Sequence, residues 1–103
     1  MYRDKTIAVV VPAYNEENLI GRVIDTMPDY VDYIIIVDDC SQDRTGDLVK
    51  EYQKKGDLAI DLIRHETNQG VGGAIITGYK QAIKRQADIT TVMAGDAQMD
   101  PDD

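Results

Sequence analysis

A chain of 103 residues and 11.5 kDa has room for one domain, and its single cysteine, Cys40, excludes an internal disulfide framework and suits a reducing compartment. Hydrophobic residues at 43% and charged residues at 29% exclude collagen-like or fully disordered character. The net charge of -8, from 11 Lys+Arg against 19 Asp+Glu, repels nucleic acid, and no apolar run approaches the roughly 20 residues that cross a membrane.

The start, MYRDKTIAVV, carries too short an apolar stretch for a signal peptide and runs into Pro12. Thr6 to Val11 is a continuous β-branched run, which predicts a strand buried on both faces. Leu19, Ile20, Val23, Ile24 and Met27 then recur on one helical face, with Asn15 as the expected N-cap, Glu16 and Glu17 in the first turn, and Pro28 as the stop. Tyr33 to Val37 predicts a second buried strand. Leu48, Val49 and Tyr52 mark a second helix, closed by Lys54, Lys55 and Gly56. Leu58 to Ile63 predicts a weaker third strand. Ala74, Ile75, Gly78, Tyr79, Ala82 and Ile83 mark a third helix, entered through Gly70 to Gly73, with its apolar residues, Tyr79 included, read as core. Ile89 to Ala94 predicts a fourth strand, after which Asp100-Pro101-Asp102-Asp103 leads nowhere.

The order is β-α-β-α-β-α-β. Buried strands joined by helical crossovers make an α/β fold, a Rossmann-like parallel sheet with helices on both faces. In such a sheet ligands bind outside the carboxyl ends of the strands. The segments that open there are Pro12 to Glu16, Asp38 to Thr45, Arg64 to Gly70 and Gly95 to Gln98. They collect carboxylates, amides and small residues on one edge. Carboxylates crowded on one rim repel unless a cation or a hydrogen-bonded ligand is present. Hard oxygen donors facing a diphosphate select Mg²⁺ or Mn²⁺.

Four motifs in order, PAYNE (Pro12 to Glu16), VDDCSQDRT (Val37 to Thr45), NQGVGGAIITGY (Asn68 to Tyr79) and AGDAQMDP (Ala94 to Pro101), resemble those of family 2 inverting glycosyltransferases. The branch they are most similar to is that of dolichyl-phosphate mannose synthase and related polyprenyl-phosphate sugar transferases. The resemblance implies a glycosyltransferase A-type fold, of which residues 1–103 would be the N-terminal, nucleotide-sugar-binding half, ending after the metal-binding motif. It implies transfer of a sugar from a UDP- or GDP-linked donor to a polyprenyl phosphate or saccharide acceptor, with inversion, in cell-envelope or glycan biosynthesis. The enzyme would be cytoplasmic, at the cytoplasmic face of a membrane in its full-length form.

The resemblance also assigns residues. Pro12, Ala13, Tyr14, Asn15 and Glu16 would line the nucleotide, with Asn15 ordering the turn. Asp39 would bond the base, with Val37 and Asp38 beside it and Asp38 holding the loop. Ala94, Gly95 and Asp96 stand where the family has its D-x-D motif, so the first acid is absent. Asp96 would be the catalytic and metal-binding acid, and Gln98 would complete the metal site. The base that activates the acceptor would lie downstream of this chain.

Simpler readings stand beside these. Gly70, Gly72 and Gly73 ease a turn; their spacing is not G-x-G-x-x-G. His65, the lone histidine, reads as structural. Cys40 stands among carboxylates, which disfavours a nucleophilic thiolate. A nucleotide-binding fragment without turnover is the first alternative. A sugar nucleotidyltransferase would want a basic glycine-rich loop after the first strand, and a receiver-type signalling domain an acid pair there. The open sheet edge predicts self-association as a homo-oligomer.

Overall fold

The computed structural model describes residues 5–56 and 59–93. Four strands and three helices alternate: β1 (Ile7–Ala13), α1 (Ile20–Asp25), β2 (Tyr33–Asp38), α2 (Thr45–Lys55), β3 (Ile60–Arg64), α3 (Gly70–Lys84) and β4 (Ile89–Val92). All pairings are parallel, in the spatial order β3-β2-β1-β4. The reversal of direction between β1 and β4 is the switch point at which such sheets form a crevice.

β1 and β2 are buried on both faces, as their unbroken aliphatic runs predict. The two-residue period of the strand sorts their side chains. Val9, Val11, Ala13, Ile34 and Ile36 face α1 and α2, where they meet Ile20, Val23, Ile24 and Val49. Ala8, Val10, Ile35 and Val37 face α3, where they meet Ala74 and Ala82. Each fully buried aliphatic side chain of this kind contributes about 1.5–3 kcal/mol.

β1 runs two residues past its predicted end, through Pro12. A proline inside a central strand removes a ladder donor. Here the Ala13 carbonyl accepts from the Asp39 amide and the Val10 carbonyl accepts from the Met93 amide. Main-chain groups alternate sides along a strand, so Pro12 turns toward β4, beyond its last described partner pair, Val10 and Val92.

The first helix is shorter than its pattern suggests and is not capped by Asn15. Its N-cap is Leu19, without a side-chain cap, and no acid lies in its first turn. Residues 16 to 19 form a preceding turn in which the Glu16 carbonyl accepts from the amides of Leu19 and Ile20. Asn15 instead sits in the left-handed region, at φ 52°. Gly56 closes α2 at φ 74°, the αL conformation expected of a glycine C-cap.

α3 packs through its small residues. Ala74, Gly78 and Ala82, one turn apart, are buried against the sheet. A Cβ on Gly78 would lie 2.2 Å from Val10 Cγ1, so the helix reaches β1 only because this position has none. The larger residues point outward: Tyr79 is 40% exposed and Ile83 74% exposed, which corrects their reading as core. No helix among the described residues is long and apolar enough to cross a membrane.

Candidate nucleotide-sugar site

Three loops leave the carboxyl ends of β1, β2 and β3 and bond to one another. The Asn15 amide donates to Ser41 Oγ at 2.8 Å, and Asn15 Oδ1 accepts from the Gln42 amide at 2.8 Å. Asn15 thus joins the first two loops, and its left-handed backbone, tolerated by a short amide side chain, lets it do so. The Glu16 amide donates to Thr45 Oγ1 at 2.8 Å. Asp43 accepts from the amides of Thr45, the first residue of α2, at 2.9 Å, and Glu17, at 3.2 Å, and so ties the start of the helix to the first loop. Burial pushes the Asp43 carboxyl up, but the bonds from Thr45 and Glu17 outweigh this and hold it below the ordinary aspartate value.

The two adjacent aspartates of β2 part company. Asp38 is fully buried. Its Oδ1 accepts from the Ser41 amide at 3.0 Å and its Oδ2 from Arg64 Nη1 at 2.9 Å. Arg64 also donates from Nη2 to the Ser41 carbonyl at 2.9 Å. Gly46 approaches the same carboxylate so closely that a Cβ there would stand 3.0 Å from Oδ2. Asp38 therefore holds the loop and does not line the cavity below. Val37 does not line it either: it belongs to the core under α3.

Asp39 faces the other way. Its Oδ1 accepts from His65 Nδ1 and from the Gln69 amide, and its Oδ2 from the Gly70 amide, each at 2.8 Å. Burial raises its pKa, while the Gln69 amide, His65 and the Gly70 amide lower it, with a net fall below the ordinary value. Asp39 is thus an ionised acceptor. Gly70, at φ 81°, adopts a conformation open to glycine that aims its N–H at this carboxylate.

Asp39 forms part of the wall of a cavity of about 480 Å³, within the range of small-molecule sites. Pro12, Ala13, Tyr14 and Glu16 line it from the β1 side. Asn68, Gly70, Val71, Ala74 and Ile75 line it from the β3–α3 side, and Val92 from β4. Five residues singled out in the sequence therefore meet at one cavity: Pro12, Ala13, Tyr14, Glu16 and Asp39. Asn15, Val37 and Asp38 stand behind it. Asn68 and Gly70 belong to a segment that the strand order already places at this edge; Val71, Ala74 and Ile75 were legible only as a turn and a helix face, because a period of 3.6 does not say which helix end overhangs a crevice.

Ala94, Gly95, Asp96 and Gln98 lie outside the described residues. Among the described residues no three His, Cys, Asp or Glu side chains gather as metal ligands. The described part of the site does not by itself provide a metal centre.

The glycosyl transferase family 2 profile matches residues 8–103. The chain belongs to this family. A UDP-N-acetylglucosamine–dolichyl-phosphate N-acetylglucosaminyltransferase of Methanococcus voltae is 40% identical, covering 97% of this chain and 45% of the relative. The structure of S. aureus TarS (1–349) in complex with UDP superposes with a TM-score of 0.71 at 28% identity, covering 88% of this chain and 27% of that one. Glucosyl-3-phosphoglycerate synthase from Mycobacterium tuberculosis, in complex with Mn²⁺, UDP and glucosyl-3-phosphoglycerate, superposes at 0.67 with 26% identity, covering 91% and 34%. The four-stranded parallel sheet is accordingly that of a glycosyltransferase A-type fold. The chain spans less than half the length of these proteins.

Proposed function

We propose that residues 1–103 form the nucleotide-sugar-binding half of a glycosyltransferase that moves a sugar from a UDP- or GDP-linked donor to a polyprenyl phosphate or saccharide acceptor, with inversion. One observation carries the reading. An ionised carboxylate, Asp39, is held at the wall of a nucleotide-sized cavity between Tyr14 and the start of α3. A carboxylate that only accepts suits a base presenting an imide or lactam N–H, as uracil and guanine do. UDP in the structural neighbours and dolichyl phosphate in the name of the Methanococcus relative support donor and acceptor class.

Within the cavity, Tyr14 and Pro12 offer apolar surface to a base, and Asp39 orients it. Glu16 lines the cavity on the same side. Asp96 and Gln98 would hold a Mg²⁺ or Mn²⁺ ion, which when bound neutralises the charge growing on a departing nucleoside diphosphate. The complex of the mycobacterial synthase with Mn²⁺ and UDP supports that assignment. An acceptor of the polyprenyl-phosphate class puts the full-length enzyme at a membrane face.

The test is calorimetric titration of the full-length protein with UDP and GDP. Asp39→Ala is expected to weaken nucleotide binding about tenfold or more, the worth of a hydrogen bond to an ionised acceptor. Unchanged affinity overturns the reading. The anomeric configuration of the product, read by NMR, decides inversion.

A further inference from the structure

The lone histidine reads as structural from the sequence, yet it is bonded to the aspartate that lines the cavity. His65 is 7% exposed and Asp39 4% exposed. His65 Nδ1 lies 2.8 Å from Asp39 Oδ1. An ionised Asp39 can only accept, so Nδ1 carries the proton. His65 Nε2 lies 2.8 Å from Thr77 Oγ1, two turns into α3. The ring is held at both ends, between the β2 rim and the helix that overhangs the cavity.

A carboxylate has about four acceptor positions. Among the described residues, His65 and the Gln69 amide occupy both on Oδ1, and the Gly70 amide occupies one on Oδ2. The fourth, on Oδ2, has no partner among the described residues, and Asp39 lines the cavity. Without His65 the carboxylate would be held by two backbone amides alone, one on each oxygen, with nothing behind Oδ1 to fix its tilt. Groups that set a binding geometry need such support from behind. The His65 backbone is anchored independently, its amide donating to the Asp38 carbonyl at 2.9 Å, so the imidazole is not needed to place the loop.

We propose that His65 is a positioning residue for nucleotide recognition: braced by Thr77, it fixes the Asp39 carboxylate so that one Oδ2 position accepts the N–H of the base. This rests on the nucleotide reading above. It names a residue that sets base selectivity without touching the base.

The experiment is calorimetric titration of the full-length protein with two pairs of probes, UDP against N3-methyl-UDP and GDP against N1-methyl-GDP. Methylation removes the N–H that Asp39 would accept. The wild type is expected to prefer the unmethylated member of its pair by about tenfold or more. Asp39→Ala sets the ratio with no acceptor present. His65→Leu is expected to bring the ratio to that of Asp39→Ala. His65→Asn, whose side-chain N–H can stand where Nδ1–H does, is expected to restore most of it. Thr77→Val is expected to lower it about threefold.

A wild-type ratio in His65→Leu overturns the proposal and leaves the nucleotide reading intact. So does an equal loss of affinity for both members of a pair, the mark of a purely structural role. If His65→Leu does not fold, an unchanged ratio in Thr77→Val overturns it. Equal wild-type binding of methylated and unmethylated probes overturns the roles of Asp39 and His65 together. No binding of either pair overturns the nucleotide reading itself.

Discussion

Two hydrogen-bonded clusters lie side by side at the rim of the sheet, and only one of them faces the cavity. The Asp38 cluster closes on itself: the Ser41 amide donates to Oδ1, Arg64 donates to Oδ2, and Gly46 packs against the carboxylate. Asp39 is also buried and accepts three bonds among the described residues, but it lines the cavity. Position at the cavity wall, and not burial or spare acceptor capacity, is what separates the two aspartates.

That contrast can be broken by exchanging the consequences of mutation. The largest stability effect is expected for Asp38→Ala. It strips a buried carboxylate from Ser41 and Arg64, at a cost of about 2–3 kcal/mol, since Arg64 is half exposed and can turn to water. Urea unfolding measures it, and nucleotide affinity of the folded fraction should stay within about twofold. If Asp38→Ala weakened nucleotide binding as strongly as Asp39→Ala, the two clusters would not be distinct.

Acid should undo both sides of the rim. Asp39 and Asp43 have folded pKa values below their unfolded ones, near 3.9. Below that value the unfolded chain binds more protons, so their stabilisation is complete above about pH 5 and lost as pH falls through the folded values. Thermal melts between pH 7 and pH 3 should show a Tm that is flat and then drops steeply below about pH 4. A Tm that rises on acidification would contradict the assignment of both carboxylates.

Asp43→Ala sharpens the comparison further. It removes the bonds to the amides of Thr45, the first residue of α2, and of Glu17, at about 1 kcal/mol. Chemical denaturation should show that loss and a shallower acid limb. The smallest effect is expected for Arg44→Ala. Its pair with Glu51 has both side chains about 60% exposed, and such pairs contribute roughly 0–1 kcal/mol. A loss above about 1 kcal/mol in the same assay would show that the rim network extends to this surface pair.

The strands and their order were legible because β-branched runs such as Thr6 to Val11 and Tyr33 to Val37 have no other stable home than a buried parallel strand. Pro12, Ala13, Tyr14, Glu16 and Asp39 were legible as one group because parallel strands deliver all their carboxyl ends to one edge. The partnership of His65 with Asp39 was not. It spans 26 residues and depends on a register, Asp38 opposite Arg64, that no local pattern encodes. Asn15 looked like a helix cap because an amide before two glutamates usually is one. Its bonds to Ser41 and Gln42 exist only once β1 and β2 are paired.

The sequence by itself determined the alternation of strands and helices, the edge at which the polar segments gather and the family to which they belong. These follow from periodicity and from the order of motifs, which are properties of a line. Which of two neighbouring aspartates faces the cavity, which face of α3 packs, and what His65 touches were decided only by the tertiary structure. Gly78 lets α3 come down on Val10, and that approach sets Thr77, and through it His65, behind Asp39. Distances between residues far apart in the chain are fixed by packing, and packing is not written in any one segment.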